Sequence, residues 1–435
     1  MSSQPFRPEL LSPAGSLKNM RYAFAYGADA VYAGQPRYSL RVRNNEFDHA
    51  NLAQGIREAH VLGKRFYVVV NIAPHNAKLK TFLDDLQPVI DMAPDALIMS
   101  DPGLIMLVRG RYPQMPIHLS VQANAVNWAS VAFWQGQGLE RVILSRELSL
   151  GEIEEICTQV PEIELEVFVH GALCMAYSGR CLLSGYLNRR DPNQGACTNA
   201  CRWQYDLKAA GENELGEIVR VVEPTLGIGA PSEQVFVLED GEQQMPVFED
   251  EHGTYIMNSR DLRAVQHVER LLKMGVHSLK IEGRTKSHYY CARTAQVYRQ
   301  AIDDAVAGRP FDRGLMANLE SLANRGYTEG FLRRHVHDEY QNYQHGSSLS
   351  DRQQFVGELS GERRGDLAEV RVKNRFAVGD EMELMTPKGN LRFTLEHLQN
   401  RAGESIGVAP GDGHVVYLPV PPEVDLQFAL LMRDL

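Results

Sequence analysis

"SLKIEGR", residues 278–284, decides the fold, because reading it as a strand gives the chain an eighth short, β-rich apolar run. Toward the N-terminus the other seven are "ELLSPAG" (9–15), "AVYAGQ" (30–35), "RFYVVVNIAP" (65–74), "ALIMSDPG" (96–103), "IHLSVQAN" (117–124), "RVILSREL" (141–148) and "LEVFVHGAL" (165–173). Six of the seven gaps carry a segment compatible with a helix, among them "SLKNMRYAFAYGA" and "SLGEIEEICTQV". Strands alternating with helical segments read as βα units around a parallel sheet, and eight units predict an α/β fold of the (β/α)8, TIM-like barrel type. The rival is an open doubly wound sheet, yet no G-x-G-x-x-G follows the first strand.

In a barrel of this kind the C-terminal strand ends form the active-site face. The runs end in Ser12, Asn71, Ser100 and Asp101, Gln122 and Asn124, Ser145 with Arg146 and Glu147, His170, and Lys280 with Glu282 and Arg284. Such residues also cap helices and satisfy turns. The charged ones are harder to dismiss, since a charge beside an apolar β run needs solvent, a partner or a ligand.

The seventh gap, 174–277, is far longer than a βα connection requires. It holds "EPTLGIGAPSEQ", a hairpin pattern in "QVFVLEDGEQQMPVFEDEHGTYIMN" and an expected helix in "SRDLRAVQHVERLLKMG". It opens with Cys174, Cys181, Cys197 and Cys201, spaced C-x6-C-x15-C-x3-C. The six cysteines of 435 residues are too few for a disulfide scaffold, which favours ligands over bridges. Four thiolates suit an iron–sulfur cluster or tetrahedral zinc, and from spacing alone unligated thiols stay open as well. Cys157 and Cys291 sit at helical core positions and read as buried apolar residues.

Residues 286–307 read as a final helix. From 354 onward the pattern alternates at period two around "VGD", "PKGN" and "PGDG" turns, which predicts a small β-barrel or sandwich. The expected division is therefore residues 1–349, a barrel domain with an insertion at about 174–276, and residues 350–435, a small β-barrel domain. No run approaches the roughly 20 apolar residues of a membrane span, and "MSSQPFRPELL" lacks the layout of an export signal, so a cytoplasmic protein is expected. A net charge of -10 argues against non-specific coating of nucleic acid but leaves room for a local basic cleft.

Glu166, Phe168, Gly171, Ala172, Cys174, Gly179, Cys181 and Ser184, with "SLKIEGRTKSHYY", resemble the signature of the collagenase-like peptidases, a family of unassigned catalytic type, over nearly the whole chain. "LLSPAGSLKNMRYAFAYGADAVYAGQPRYSLRVRNNEF" and "DPNQGACTNACRWQY" are most similar to members that modify tRNA. That resemblance implies oxygen-independent hydroxylation of the wobble uridine to 5-hydroxyuridine, prephenate as hydroxyl source, and an iron–sulfur cluster, of the 4Fe–4S type, on Cys174, Cys181, Cys197 and Cys201. It also implies a C-terminal module suited to gripping tRNA. Arg41, Arg43, Arg146, Lys280 and Arg284 are then candidates for the prephenate carboxylates. Asn45, Asn71, Gln122 and Glu282 complete the expected substrate-binding set, and His170 and Glu147 are expected to handle the C5 proton. Proteolysis is the alternative, although no H-E-x-x-H and no evident nucleophile–base pair supports it. A metal-stabilised RNA-binding module without catalysis is the third reading.

Overall fold

The computed structural model describes residues 6–40, 46–173, 177, 193, 260–324, 326–333 and 352–435, together with backbone strands between 206 and 254. The eight runs form strands β1 (Glu9–Pro13), β2 (Ala30–Gly34), β3 (Arg65–Val70), β4 (Ala96–Met99), β5 (Ile117–Leu119), β6 (Arg141–Ile143), β7 (Glu164–Ala172) and β8 (Ser278–Ile281). Each pairs in parallel with its neighbours, and β8 pairs with both β7 and β1, which closes the barrel. The strands are short and buried on both faces, as parallel strands covered by helices must be, so they read as continuous apolar runs.

Helices α1 (Leu17–Ala25), α2 (His49–Val61), α3 (Phe82–Asp91), α4 (Pro102–Arg111), α5 (Trp128–Gly136), α6 (Leu150–Gln159), α7 (Val268–Lys273) and α8 (His288–Val306) follow the strands in order. Side-chain caps start most of them: Ser16, Asp48, Asp101, Asn127, Ser149 and Ser287 each accept a backbone N–H of the first turn. Asp101 is thereby explained as a cap. Among the described residues no helix is long and apolar enough to cross a membrane.

The barrel interior is not wholly apolar. Arg141, at the start of β6, donates to Glu9 (2.6 Å), Glu164 (2.6 Å) and Glu166 (3.1 Å), and Lys280 Nζ meets Glu166 at 2.7 Å. Burial alone would raise the Glu166 carboxyl, but Lys280 and Arg141 outweigh it and hold the group below its ordinary range. The Tyr67 hydroxyl donates to Glu9 at 2.6 Å, and Ser278 Oγ donates to Glu9 at 3.2 Å, so β1, β3, β6, β7 and β8 are tied together from inside.

The insertion contributes an antiparallel sheet in which 235–240 and 243–250 form the expected hairpin. The helix expected at 259–275 is shorter than its pattern. Asp261–Arg263 instead pairs antiparallel with the end of β7, and only Val268–Lys273 is α-helical, because the edge left by β7 recruits those residues as a strand. The C-terminal unit is a seven-stranded antiparallel sheet over 353–434 around its own apolar core.

That unit docks on α1 and α8. Arg293 on α8 makes a two-pronged contact with Glu383, at 2.8 and 3.2 Å, with both side chains buried. Tyr289 stacks on Phe355 with ring centroids 5.4 Å apart, and the Tyr26 hydroxyl lies 3.0 Å from the carbonyls of Met385 and Phe428. Removing one partner of a buried pair strands the other charge. Arg293→Met is therefore expected to cost about 3–5 kcal/mol in urea unfolding, and the double variant Arg293→Met/Glu383→Leu to recover most of that loss. Equal midpoints for wild type and the single variant would contradict the role given to this contact.

Candidate active site at the C-terminal ends of the barrel strands

Asn71 follows β3 and is 6% exposed, so its amide must find partners within the protein. Its Oδ1 accepts the backbone N–H of Leu40 at 3.1 Å. Its Nδ2 donates to Ser120 Oγ at 3.2 Å and to Gln122 Oε1 at 2.8 Å, and the Ser120 hydroxyl also donates to Gln122 Oε1. Ser100 Oγ closes the group by donating to the Asn71 carbonyl at 3.2 Å. Asn71, Ser100 and Gln122 border a cavity of about 430 Å³, completed by Leu40, Asp101, Trp134 of α5 and Asn193, among others. The Asn193 carbonyl accepts the backbone N–H of Ala73 at 3.0 Å, which fixes Asn193 of the insertion at the mouth.

Beside this cavity the cations rest on aromatic rings. The Arg146 guanidinium lies 3.9 Å from the centre of the Phe168 ring and donates to the Ala172 carbonyl at 2.7 Å. Arg284 donates to the Leu40 carbonyl at 2.8 Å and lies 5.9 Å from the Tyr32 ring. Lys280 Nζ sits 4.2 Å from the Tyr32 ring and 5.5 Å from that of Phe168. It is 3% exposed and paired with Glu166, so it underlies the mouth as part of the internal charge network. Glu147 accepts from Ser145 beside it. Glu282 is held by its backbone, whose N–H donates to the His170 carbonyl at 2.9 Å and whose carbonyl accepts from the Tyr290 hydroxyl at 2.6 Å.

The structure brings Asn71 and Gln122 together in one cavity and sets Arg146, Lys280 and Arg284 around two adjacent rings, but it does not bring His170 to the mouth. The register shifts between Lys280 and Ile281, which pair with Phe168 and His170, so Val169 is an extra residue and the phase of side-chain alternation changes there. The His170 ring therefore faces the helical layer, among Tyr290, Tyr298 and Tyr327 at 5.4–5.8 Å. Expected as a proton carrier, it is instead a packed residue. Strand-end reading also missed Trp134, which lies on a helix, and Asn193, which lies in the insertion. Ser120 was within reach, since it sits two residues before Gln122 at the end of β5.

Arg41, Arg43, Asn45, Cys174, Cys181, Cys197 and Cys201 lie outside the described residues. Among the described residues no cluster of three or more histidine, cysteine or carboxylate side chains could hold a metal. Burial pushes the Cys157 thiol up to about 11 and the Cys291 thiol up to about 12, so neither is a thiolate at neutral pH. The donor chemistry for a thiophilic metal centre is thus concentrated in the segment that leaves β7 at Leu173.

Burial lowers His170 to about 3, so its ring is neutral in the folded protein. The folded value lies below the ordinary 6.5, so this neutral ring contributes stability above 6.5 that is lost as pH falls toward about 3. Its ring carbon shifts, followed by NMR on histidine-labelled protein, are expected to stay constant between about pH 5 and 8. A titration centred near 6.5 would contradict the burial described.

Comparison with known proteins gives the ancestry of this arrangement. Residues 15–342 match the family model "Peptidase family U32", and residues 351–433 match "Peptidase family U32 C-terminal domain". The chain is 72% identical to "tRNA hydroxylation protein P" of Escherichia coli over 99% of this chain and 97% of that one. It is 69% identical to the protein of the same name in Haemophilus influenzae, again over 99% and 97%. It is also 27% identical, over 95% of this chain and 58% of the other, to "23S rRNA 5-hydroxycytidine C2501 synthase" of Escherichia coli. By these matches over nearly its whole length, the chain belongs to peptidase family U32.

Proposed function

We propose that this chain hydroxylates tRNA, replacing the C5 hydrogen of the wobble uridine by a hydroxyl group at the C-terminal mouth of the barrel. One observation carries the reading: near-complete, 72% identical likeness to a protein named for tRNA hydroxylation. The mouth supports it chemically. Its cavity offers uncharged hydrogen-bonding groups suited to a base, and a relative named for 5-hydroxycytidine synthesis acts at the same ring carbon of a pyrimidine.

The residues divide the work by their chemistry. Gln122 meets the base edge, Asn71 orients Gln122, and Trp134 offers a ring against which a base can lie. Arg146 and Arg284, backed by Phe168 and Tyr32, provide guanidinium groups for the two carboxylates of prephenate, the proposed hydroxyl source. Lys280 adds positive potential beneath them while remaining paired with Glu166. Glu147, at the end of β6, is the carboxylate proposed to take the C5 proton. Cys174, Cys181, Cys197 and Cys201 would hold an iron–sulfur cluster, which when bound would supply one-electron chemistry. The donor set fits that group, four thiols in a segment that touches the mouth at Asn193. Hydrolysis of peptides has less support, since among the described residues no hydrogen bond joins a serine or cysteine to a histidine.

The test is expression in a bacterial strain lacking its own tRNA hydroxylation, with mass spectrometry of tRNA nucleosides. Wild type is expected to restore 5-hydroxyuridine and its derivatives. Cys197→Ser and Cys201→Ser are expected to lose them together with bound iron and sulfide. A strain unable to make prephenate is expected to lack the product even with wild type present. Unchanged nucleosides on expression of wild type would reject the reading.

A further inference from the structure

We infer that Gln122 is the residue that selects uracil over cytosine, and that Asn71 sets its selectivity by fixing which end of the Gln122 amide faces the cavity. This rests on the reading of the mouth as a pyrimidine site and names how the base is told apart.

A backbone N–H can only donate, so the Leu40 N–H at 3.1 Å requires Asn71 to present Oδ1 toward it. Asn71 must then present Nδ2 in the other direction, where it donates to Gln122 Oε1 at 2.8 Å and to Ser120 Oγ at 3.2 Å. Ser120 donates to the same Oε1. With its oxygen engaged by two donors, Gln122 has only Nε2 left to offer, and among the described residues that amino group makes no hydrogen bond. Gln122 borders the cavity, so the polarity of Leu40 is relayed through two amides and emerges there as a donor.

A donor at that point discriminates between the two pyrimidines. Uracil carries a carbonyl oxygen at C4, next to the reacting C5, whereas cytosine carries an amino group there. A carbonyl accepts from Gln122 Nε2; an amino group would face it donor to donor. The Asp101 carboxylate at the rim, one oxygen of which accepts the Leu104 N–H at 2.8 Å, is common to wild type and variants and so does not enter the comparison between them. Nor would the site adapt easily, since Asn71 is 6% and Ser120 2% exposed, the Asn71 amide cannot turn without breaking the Leu40 contact, and the Gln122 amide cannot turn without breaking the contact with Asn71.

The relay predicts inversion rather than simple loss. In Asn71→Asp the carboxylate still accepts from Leu40, but its second oxygen also accepts, so Gln122 must turn and present Oε1 to the cavity. In Gln122→Glu the carboxylate accepts from Asn71 and Ser120 and again shows an oxygen. Both variants should prefer an amino group at C4. The experiment measures dissociation constants of the full-length protein for two anticodon stem-loop RNAs that differ only in uridine or cytidine at the wobble position. Wild type is expected to favour uridine by about tenfold, the size of one hydrogen bond made or opposed. Each variant is expected to bring the ratio to unity or below, with circular dichroism unchanged. Equal affinity of wild type for the two RNAs, or a uridine preference retained in both variants, overturns the assignment. The two claims fail separately. Hydroxylated nucleosides restored in cells while the RNAs bind equally would leave the reaction and remove the selector, whereas an inverted preference without hydroxylated product would do the reverse.

Discussion

The buried contact between Glu166 on β7 and Lys280 on β8, extended through Arg141 to Glu9 on β1, lies across the seam where the barrel closes. The chain must return to this seam after the insertion, and the entropy of closing so long a loop grows only slowly with its length. Backbone ladders on both sides of β8 supply the register. The ions add a penalty for any other register, since a slip would leave a charge buried without its partner. Closure is also what makes the mouth. It brings Arg284 to the Leu40 carbonyl and sets Tyr32 and Phe168 under the cations.

Much of the frame was legible in the sequence because parallel strands buried on both faces must be apolar throughout, and helices starting at a strand end need capping side chains. The misreadings have physical causes. Lys280 and Glu166 stand 114 positions apart, so nothing local shows that the lysine has a partner inside the barrel. His170 is two residues from Phe168 and by simple alternation would share its face, but the irregular register at Val169 turns it to the helices. The helix expected over 259–275 yields its first turn to an open strand edge, a tertiary demand that no local pattern carries. Trp134 and Asn193 reach the cavity from a helix and from the insertion, and a survey of strand ends passes over both.

The mouth combines two kinds of chemistry at different depths. Nearest the barrel axis lie fixed charges, paired or held on aromatic faces. Toward β3 and β5 lies a cavity lined mostly by uncharged groups, with Asp101 at its rim, in which the hydrogen-bonding directions of Asn71 and Gln122 are set by one backbone N–H. Asn193 of the insertion borders the second region. The C-terminal unit is fastened to α1 and α8 by Arg293, Tyr26 and Tyr289.

Photo-crosslinking reads out where the base lies on the protein. An anticodon stem-loop carrying 5-iodouridine at the wobble position would be irradiated on the full-length protein and the adducts mapped by peptide mass spectrometry. The account predicts adducts around Leu40, Gln122 and Trp134 at the C-terminal mouth. Adducts confined to the opposite end of the barrel, around Phe6, Arg65 and His277, would contradict it.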